Sequence, residues 1–195
     1  MVDSPRMLVV GGPNGSGKTT LALEYAAETG FPYLGADAIA ASIDPADPER
    51  AQVAAGRAFI DRANRHIANH RSFVAESTLS GLTLRNFITA ARENGYLISI
   101  AFLFVDSADI CVARVSERVR KGGHSVRESD VRRRFPRAVI NFWTIYREMA
   151  DNWVLLYNGD TAMQDVAAGS RDRLLIRDPV KHALFMKLVE DFDNA

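Results

Sequence analysis

Residues 12–19 constrain the fold of this chain more than any other segment, because they read Gly-Pro-Asn-Gly-Ser-Gly-Lys-Thr. A glycine, four further residues and then Gly-Lys-Thr is the spacing of a P-loop, whose backbone N–H groups surround phosphate oxygens. The apolar run Met7–Val10 precedes the loop, and a helical pattern follows it from Lys18 through Glu28. This order of strand, loop and helix is the context that the motif requires, and the helix start adds a positive dipole end. The segment therefore predicts a site for a nucleoside triphosphate.

The individual loop residues have distinct expected tasks. We expect Lys18 to reach the β- and γ-phosphates and the Thr19 hydroxyl to hold Mg²⁺. The glycines allow the sharp bends that turn the backbone toward the phosphates. The predicted cofactors are accordingly ATP and Mg²⁺. The predicted ATP-binding residues are Gly12, Pro13, Asn14, Gly15, Ser16, Gly17, Lys18, Thr19 and Thr20.

Composition restricts the class of protein. A length of 195 residues suits one α/β domain over residues 1–195, and the balance of 24 basic against 24 acidic residues gives no general indication of a nucleic acid or an anionic membrane as partner. The single cysteine, Cys111, excludes an internal disulfide and a cysteine metal cluster, and its apolar helical surroundings predict burial. No signal-peptide pattern begins the chain, and the apolar run Tyr96–Val105 is too short to span a bilayer. We expect a cytoplasmic protein.

Apolar segments alternate with helical ones, which predicts an α/β fold of the P-loop NTPase class. The expected sheet is central and mostly parallel, with five to six strands, helices on both faces and a helical lid. The interval 158–173, which contains Asn-Gly-Asp and Gly-Ser, is predicted to be a mobile loop. The predicted strands are 6–11, 32–34, 72–76, 97–105, 153–157 and a weaker one at 172–176. The predicted helices are 18–29, 47–69, 82–94, 107–121, 128–150 and 179–193.

Two acidic residues follow short predicted strands, at the sheet edge where parallel strands deliver ligand-binding groups. Asp37 comes after the second strand, and Glu76 ends the third. A phosphoryl-transfer enzyme needs a group that accepts the proton of the attacking hydroxyl and groups that position the metal. The alternative for Asp37 is a helix cap for the segment 38–41, and the alternative for Glu76 is a solvated acid at a strand end.

Asp106 is the nearest literal match to a Walker B aspartate, because it directly follows the long apolar strand. A helical pattern begins one residue later, so we interpret Asp106 as the N-terminal cap of that helix.

A basic segment follows the fourth predicted strand. Residues 114–137, the lid segment, contain nine basic residues and three acidic ones, and Gly122-Gly123 interrupts them between two helices. A helix-loop-helix with arginines over the nucleotide is how small-molecule kinases close and supply charge to the transition state. A solvated basic face or a nucleic-acid patch is the alternative.

The order of four motifs resembles the zeta-toxin family, and more closely its compact chromosomal branch, whose members are often labelled as predicted ABC-type ATPases. Beside the P-loop, the resemblance rests on Asp-Ala-Ile-Ala at 37–40, Phe-Val-Ala-Glu-Ser-Thr-Leu-Ser-Gly at 73–81, and a fourth motif that combines Arg-Val at 114–115 and 118–119 with Gly-Gly-His-Ser-Val at 122–126. It covers roughly residues 6–160. Characterised zeta toxins are kinases that use ATP and Mg²⁺ to phosphorylate the 3′-hydroxyl of UDP-N-acetylglucosamine, and a small antitoxin blocks their nucleotide site.

The resemblance implies a role for each matching residue. Lys18 and Thr19 take the phosphate and Mg²⁺ roles, Asp37 activates the sugar hydroxyl, and Glu76 helps to hold substrate or metal. Arg118, with Arg120 as its rival, matches the first lid arginine. The second lid arginine falls close to His124, with Arg133 or Arg134 as alternative suppliers of that charge.

The resemblance also implies partners: a UDP-sugar as acceptor and an antitoxin acting in trans on a toxic kinase. Arg57, Arg62 and Arg65 of the third helical region could contact the acceptor, although solvated surface positions are the favoured interpretation. Two other functions stay open at this stage. One is a P-loop kinase for a different metabolite or a polynucleotide end, and the other is a nucleotide-gated regulatory protein with little turnover.

Overall fold

A seven-stranded sheet with helices on both faces forms the framework of the protein. A computed structural model describes residues 4–159, 162–171 and 173–193. The strand order is β2-β3-β1-β4-β5-β6-β7, and pairing is parallel from β2 to β5. The sequence predicted an α/β fold with a mostly parallel sheet, which is confirmed, but it predicted five to six strands. The strands are β1 Arg6–Gly11, β2 Tyr33–Gly35, β3 Phe73–Ser77, β4 Leu97–Phe104, β5 Asn152–Asn158, β6 Met163–Ser170 and β7 Arg173–Ile176.

The helices lie close to their predicted positions. The long interval predicted as one helix over 47–69 begins later, at Gln52, and a separate short helix starts at Ala36. The interval predicted as a helix over 128–150 is helical as far as Met149, and a π-helical turn over Phe142–Tyr146 interrupts it. The helices are α1 Lys18–Thr29, α2 Ala36–Ile43, α3 Gln52–Ala68, α4 Thr83–Glu93, α5 Ala108–Arg120, α6 Glu128–Asn141, α7 Arg147–Met149 and α8 Pro179–Asp193.

The central strands are apolar on both faces, as expected for parallel strands that helices cover from both sides. The side chains of Val9, Val10, Phe102 and Phe104 are fully buried. One large core cluster lies on one face of the sheet and a smaller one lies on the other, beneath α1. This arrangement fixes the carboxyl ends of β1, β2 and β3 at one edge, where the P-loop follows β1, Asp37 follows β2 and Glu76 is the penultimate residue of β3.

The prediction of a mobile loop over residues 158–173 is wrong for most of that interval. β6 occupies Met163–Ser170 and pairs antiparallel with β5, and β7 pairs antiparallel with β6. Residues 160, 161 and 172 of the predicted loop lie outside the described residues. The pattern of β6 is a poor strand signal because Met-Gln-Asp-Val-Ala-Ala-Gly-Ser contains few β-branched or aromatic residues.

The cap of α5 also differs from the prediction. The Ser107 hydroxyl accepts a hydrogen bond from the backbone N–H of Ile110, so Ser107 is the N-cap. The Asp106 carboxylate instead accepts a hydrogen bond from the Tyr157 hydroxyl at 2.6 Å. Asp106 therefore ties the end of β4 to β5, and our interpretation of it as a cap is corrected.

Candidate active site

The P-loop forms a cradle that only glycine fits at key positions. Gly12 and Gly17 have φ angles of 143° and 97°, in a region that side chains rarely adopt. A Cβ at Gly12 would overlap the carbonyl oxygen of Leu103, and one at Gly17 would overlap the side-chain amide of Asn158. The loop is thus held tightly between β1, β4 and the end of β5, with no space for larger residues.

Lys18 lies inside this cradle at the start of α1. Its side chain is buried, and its Nζ donates a hydrogen bond to the carbonyl oxygen of Pro13 at 2.8 Å. Burial lowers the pKa of Lys18, while the negative charges of Glu76 and Asp37 act in the opposite direction. Lys18, Asp37 and Glu76 line the same cavity over the P-loop.

Glu76 is held at the end of β3 by two hydroxyl groups. The Thr19 hydroxyl donates a hydrogen bond to Oε1 at 3.0 Å, and the Tyr33 hydroxyl donates one to Oε2 at 2.5 Å. Burial and the adjacent Glu76 raise the pKa of Tyr33 well above its ordinary value, so this phenol stays protonated and acts as a donor. Sequence reasoning missed Tyr33, because nothing in the residues alone shows that its side chain reaches β3.

Asp37 lies in the first turn of α2. Its side chain is about half exposed, and its Oδ1 lies 3.8 Å from Nε2 of His124 in the lid segment. The Nε2 atom of His124 also lies 3.4 Å from the amide nitrogen of Gln52. No side chain caps α2, so the structure offers no support for Asp37 as its cap.

The donor groups of the site fit a bound triphosphate. Among the described residues, four buried side-chain polar atoms have no hydrogen-bond partner, and three of them belong to Asn14, Ser16 and Arg118. Arg118 lines the P-loop cavity and its Nη2 atom is a donor, which suits an anionic phosphate oxygen, whereas Oδ1 of Asn14 is an acceptor and Ser16 does not line that cavity. Within the described part of the chain no three His, Cys, Asp or Glu side chains cluster as a metal site. A Thr19 hydroxyl beside a single carboxylate matches Mg²⁺, which keeps several water and phosphate ligands.

Two cavities meet at these residues. The first, of about 430 Å³, lies over the P-loop, and the second, of about 540 Å³, extends between α3, α4 and α6. Four residues line both cavities: Asn14, Asp37, Glu76 and Thr78. The arrangement can hold two ligands whose ends meet beside Asp37 and Glu76.

The lid segment contributes to the cavities from α5, the following loop and α6. Arg118 and His124 line the P-loop cavity, and the Nε atom of Arg118 donates a hydrogen bond to the carbonyl oxygen of His124 at 3.1 Å. Arg133 and Arg134 line the second cavity together with Arg137. Arg120 is exposed and lines neither cavity, so the structure favours Arg118 over its rival.

A further pair of residues supports the P-loop without having been singled out as site residues. The Asn158 side-chain amide donates a hydrogen bond to the carbonyl oxygen of Ser16 at 2.9 Å. Arg114 donates from its two terminal nitrogens to the carbonyl oxygens of Asn158 and Gly159. Arg114 thus connects α5 to the end of β5 and lines the P-loop cavity.

Other candidate residues lie elsewhere. Arg57 is exposed, and Arg62 and Arg65 line a separate hollow with His66 and its neighbours, so none of the three arginines reaches the second cavity. Cys111 is buried beneath the P-loop as predicted, and burial raises the pKa of its thiol to about 12. None of the helices described is both long enough and apolar enough to cross a bilayer.

Comparison with known proteins gives both a family and a fold. A family model described as an AAA domain matches residues 7–141. A protein of Haemophilus influenzae, itself described as uncharacterized, is 35% identical over 124 residues, which are 64% of this chain and 88% of that protein.

Solved structures share the whole architecture. A chain of the AvrRxo1-ORF1:-ORF2 complex with ATP superposes with a TM-score of 0.73 at 19% identity, over 96% of this chain and 64% of that chain. This protein therefore spans less than two thirds of that neighbour. A chain from the PezAT chromosomal toxin–antitoxin system of Streptococcus pneumoniae gives a TM-score of 0.67 at 11% identity, over 98% of this chain and 87% of that one. At these identities the likeness shows the fold, which is that of P-loop proteins.

Proposed function

We propose, given that this chain belongs to the AAA domain family over residues 7–141, that it is an ATP-dependent kinase acting on a small molecule. The observation that carries the proposal is the junction of the two cavities at Asn14, Asp37, Glu76 and Thr78. The P-loop cavity takes ATP, and the second cavity, which we call the acceptor cavity, takes the molecule that receives the γ-phosphate. A regulatory nucleotide-binding protein would have no need of a second cavity that opens at the same residues.

In the proposed reaction Asp37 is the general base. Its exposed carboxylate accepts the proton of the acceptor hydroxyl while that oxygen bonds to the γ-phosphorus. The bond from the γ-phosphorus to the bridging oxygen breaks, and ADP leaves with that oxygen. Thr19 and Glu76 would hold Mg²⁺, which would neutralise charge on the phosphates when bound.

Lys18 and Arg118 supply positive charge from the protein. Lys18 is buried in the cradle, and Arg118, whose buried Nη2 atom has no hydrogen-bond partner, lines the same cavity. Because Lys18 is already in place in the cradle, it stabilises developing charge without reorganisation. We propose that the lid segment closes over ATP and brings Arg118 and His124 toward the phosphates.

For the acceptor we propose a UDP-amino sugar such as UDP-N-acetylglucosamine. One wall of the acceptor cavity carries three arginines of α6, of which Arg134 and Arg137 suit an anionic diphosphate, whereas Arg133 is paired with Asp130. The opposite wall is apolar and contains Phe59 and Phe87, whose rings pack edge to face. A volume of about 540 Å³ is adequate for a ligand of this kind.

A protein partner forms part of the proposal. One structural neighbour comes from a toxin–antitoxin system and another from a complex of two proteins. We propose by analogy that this kinase is toxic to its cell and that an antitoxin protein inhibits it in trans.

The acceptor is identified by incubating the protein with ATP, Mg²⁺ and a panel of UDP-sugars, nucleosides and RNA. Mass spectrometry then reads which compound has gained a phosphate. We expect phosphorylated UDP-N-acetylglucosamine. A different phosphorylated compound, such as an RNA end, would overturn the proposed acceptor, and ADP release without any phosphorylated acceptor would overturn the kinase.

A further inference from the structure

We propose that Tyr33 is a positioning residue that fixes the Glu76 carboxylate for the metal ion. The inference rests on the proposed function in one respect, namely that Thr19 and Glu76 are the protein ligands of Mg²⁺. It adds a residue that belongs to neither the P-loop nor the lid segment.

The register of two strands brings Tyr33 and Glu76 together. β2 and β3 pair in parallel, with Tyr33 opposite Val74 and Gly35 opposite Glu76. Residues two apart on a strand share a face, so Tyr33 and Gly35 lie on the same face of β2. The Tyr33 side chain extends along this face over Gly35, and its hydroxyl reaches the carboxylate on the neighbouring strand at 2.5 Å.

Gly35 provides the space for this reach. A Cβ at Gly35 would overlap the hydroxyl oxygen of Tyr33, and it would also lie within 2.6 Å of the ring carbon that carries that oxygen. The backbone of Gly35 is extended, with φ of −128° and ψ of 128°, so its conformation does not itself demand glycine. The requirement for glycine at this position comes from the tyrosine side chain.

The two oxygens of Glu76 are divided between two donors. Oε2 accepts from Tyr33, and Oε1 accepts from Thr19, the residue that follows the P-loop lysine. Both hydroxyl-bearing residues and Glu76 line the P-loop cavity. With Oε2 fixed, the carboxylate cannot rotate freely, and Oε1 stays directed toward the place where Thr19 would share a cation. Hydrogen bonds of this type to a metal ligand typically contribute 10- to 100-fold in metal affinity.

The direct test is the variant Tyr33→Phe, which removes only the hydroxyl. Mn²⁺ is a spectroscopic substitute for Mg²⁺, and its binding to the protein–ATP complex is measured by electron paramagnetic resonance without any acceptor. We expect the dissociation constant of the metal to rise by about 10- to 100-fold. ATP binding without metal should stay near that of the wild type, because the hydroxyl is engaged with Glu76. The matched control is Tyr25→Phe on α1. The ring of Tyr25 packs against Phe31 away from the cavity, so this substitution should leave metal binding unchanged.

A second variant tests the same geometry at Gly35, the residue beneath the Tyr33 ring. Gly35→Ala keeps the phenol but forces its ring away from Glu76, so it should weaken metal binding in the same direction. Wild-type metal affinity in either variant would overturn the proposal, and thermal unfolding verifies that each variant is folded. Because no acceptor is present, a kinase with an unexpected acceptor would leave this result intact, and the two proposals fail separately.

Discussion

Arg118 differs from the other arginines of the lid segment in its surroundings. Its side chain lines the P-loop cavity, its Nε atom is fixed by the carbonyl oxygen of His124, and its Nη2 atom is buried without a hydrogen-bond partner. Arg132 and Arg133, by comparison, are paired with acidic residues at the surface. A guanidinium that is held at one end and free at the other is suited to binding a phosphate oxygen.

Replacement of Arg118 by alanine should therefore impair catalysis more than nucleotide binding. We expect kcat to fall by about 10³-fold or more, in line with the contribution of an arginine that stabilises phosphoryl-transfer charge. The measurement is steady-state transfer together with calorimetric ATP binding. Arg120→Ala is the matched control, because its exposed side chain lies outside both cavities. Equal losses of kcat in the two variants would show that catalysis depends on the overall positive charge and not on the position of Arg118.

The residues of the site differ in how far the sequence reveals them. Lys18 and Thr19 belong to one contiguous motif, and Asp37 and Glu76 lie at the ends of strands that share an edge, so chain order was enough to predict that the four residues lie close together. Tyr33 could not be found in this way, because its role depends on the register of β2 against β3. Arg118 could be separated from Arg120 only by knowing which face of α5 points into the cavity.

At the level of the elements, strands with strong apolar patterns were predictable, whereas β6, the strand next to the edge strand β7, was not. β4 is nearly all apolar and was placed within one residue of its end, whereas β6 has alanine, glycine and polar residues. β6 also pairs with β5 across a register shift between Leu155 and Leu156. A strand of this composition is stabilised by pairing with a formed neighbour, which no local pattern shows.

The start of α5 offers a test of local stability. Because the Ser107 hydroxyl caps the helix, Ser107→Ala should lower the free energy of unfolding by about 0.5–1 kcal/mol. The measurement is urea denaturation. Ser129→Ala on α6 is the control, since Ser129 is exposed within a helix and should change stability by less than about 0.5 kcal/mol. A loss in the control as large as in Ser107→Ala would contradict the cap assignment.

Over the whole molecule, the region beyond the AAA family match also contributes to the core. Phe185 on α8 is fully buried and packs against Phe102, Phe104 and Phe142. The C-terminal helix is thus integral to the sheet that positions the site. The sequence predicted α8 correctly from its pattern, although its packing partners could be known only from the structure.

Stability of the whole molecule should depend on pH through His66, which stacks on Phe73 between α3 and β3. Burial, with Arg71 and Arg65 nearby, lowers the pKa of His66 below its ordinary value of 6.5. Between 6.5 and the lower pKa of His66 in the folded protein, the unfolded chain binds a proton that the folded chain does not. Stability therefore falls as pH drops through 6.5, and it levels off below the pKa of the folded protein. The variant His66→Phe cannot be protonated and should lose less stability than the wild type between about pH 7 and pH 5. Thermal unfolding at both pH values measures this difference. Identical losses of stability in the wild type and in His66→Phe would contradict the role assigned to His66.

The central claim is that ATP and an acceptor hydroxyl meet beside Asp37. It is tested most directly by measuring phosphate transfer to UDP-N-acetylglucosamine and ATP binding in the same preparation of Asp37→Asn. We predict that transfer falls by about 10²- to 10⁴-fold, as expected for loss of a general base, while ATP affinity stays near that of the wild type. Wild-type transfer by a variant that still binds ATP would contradict the account.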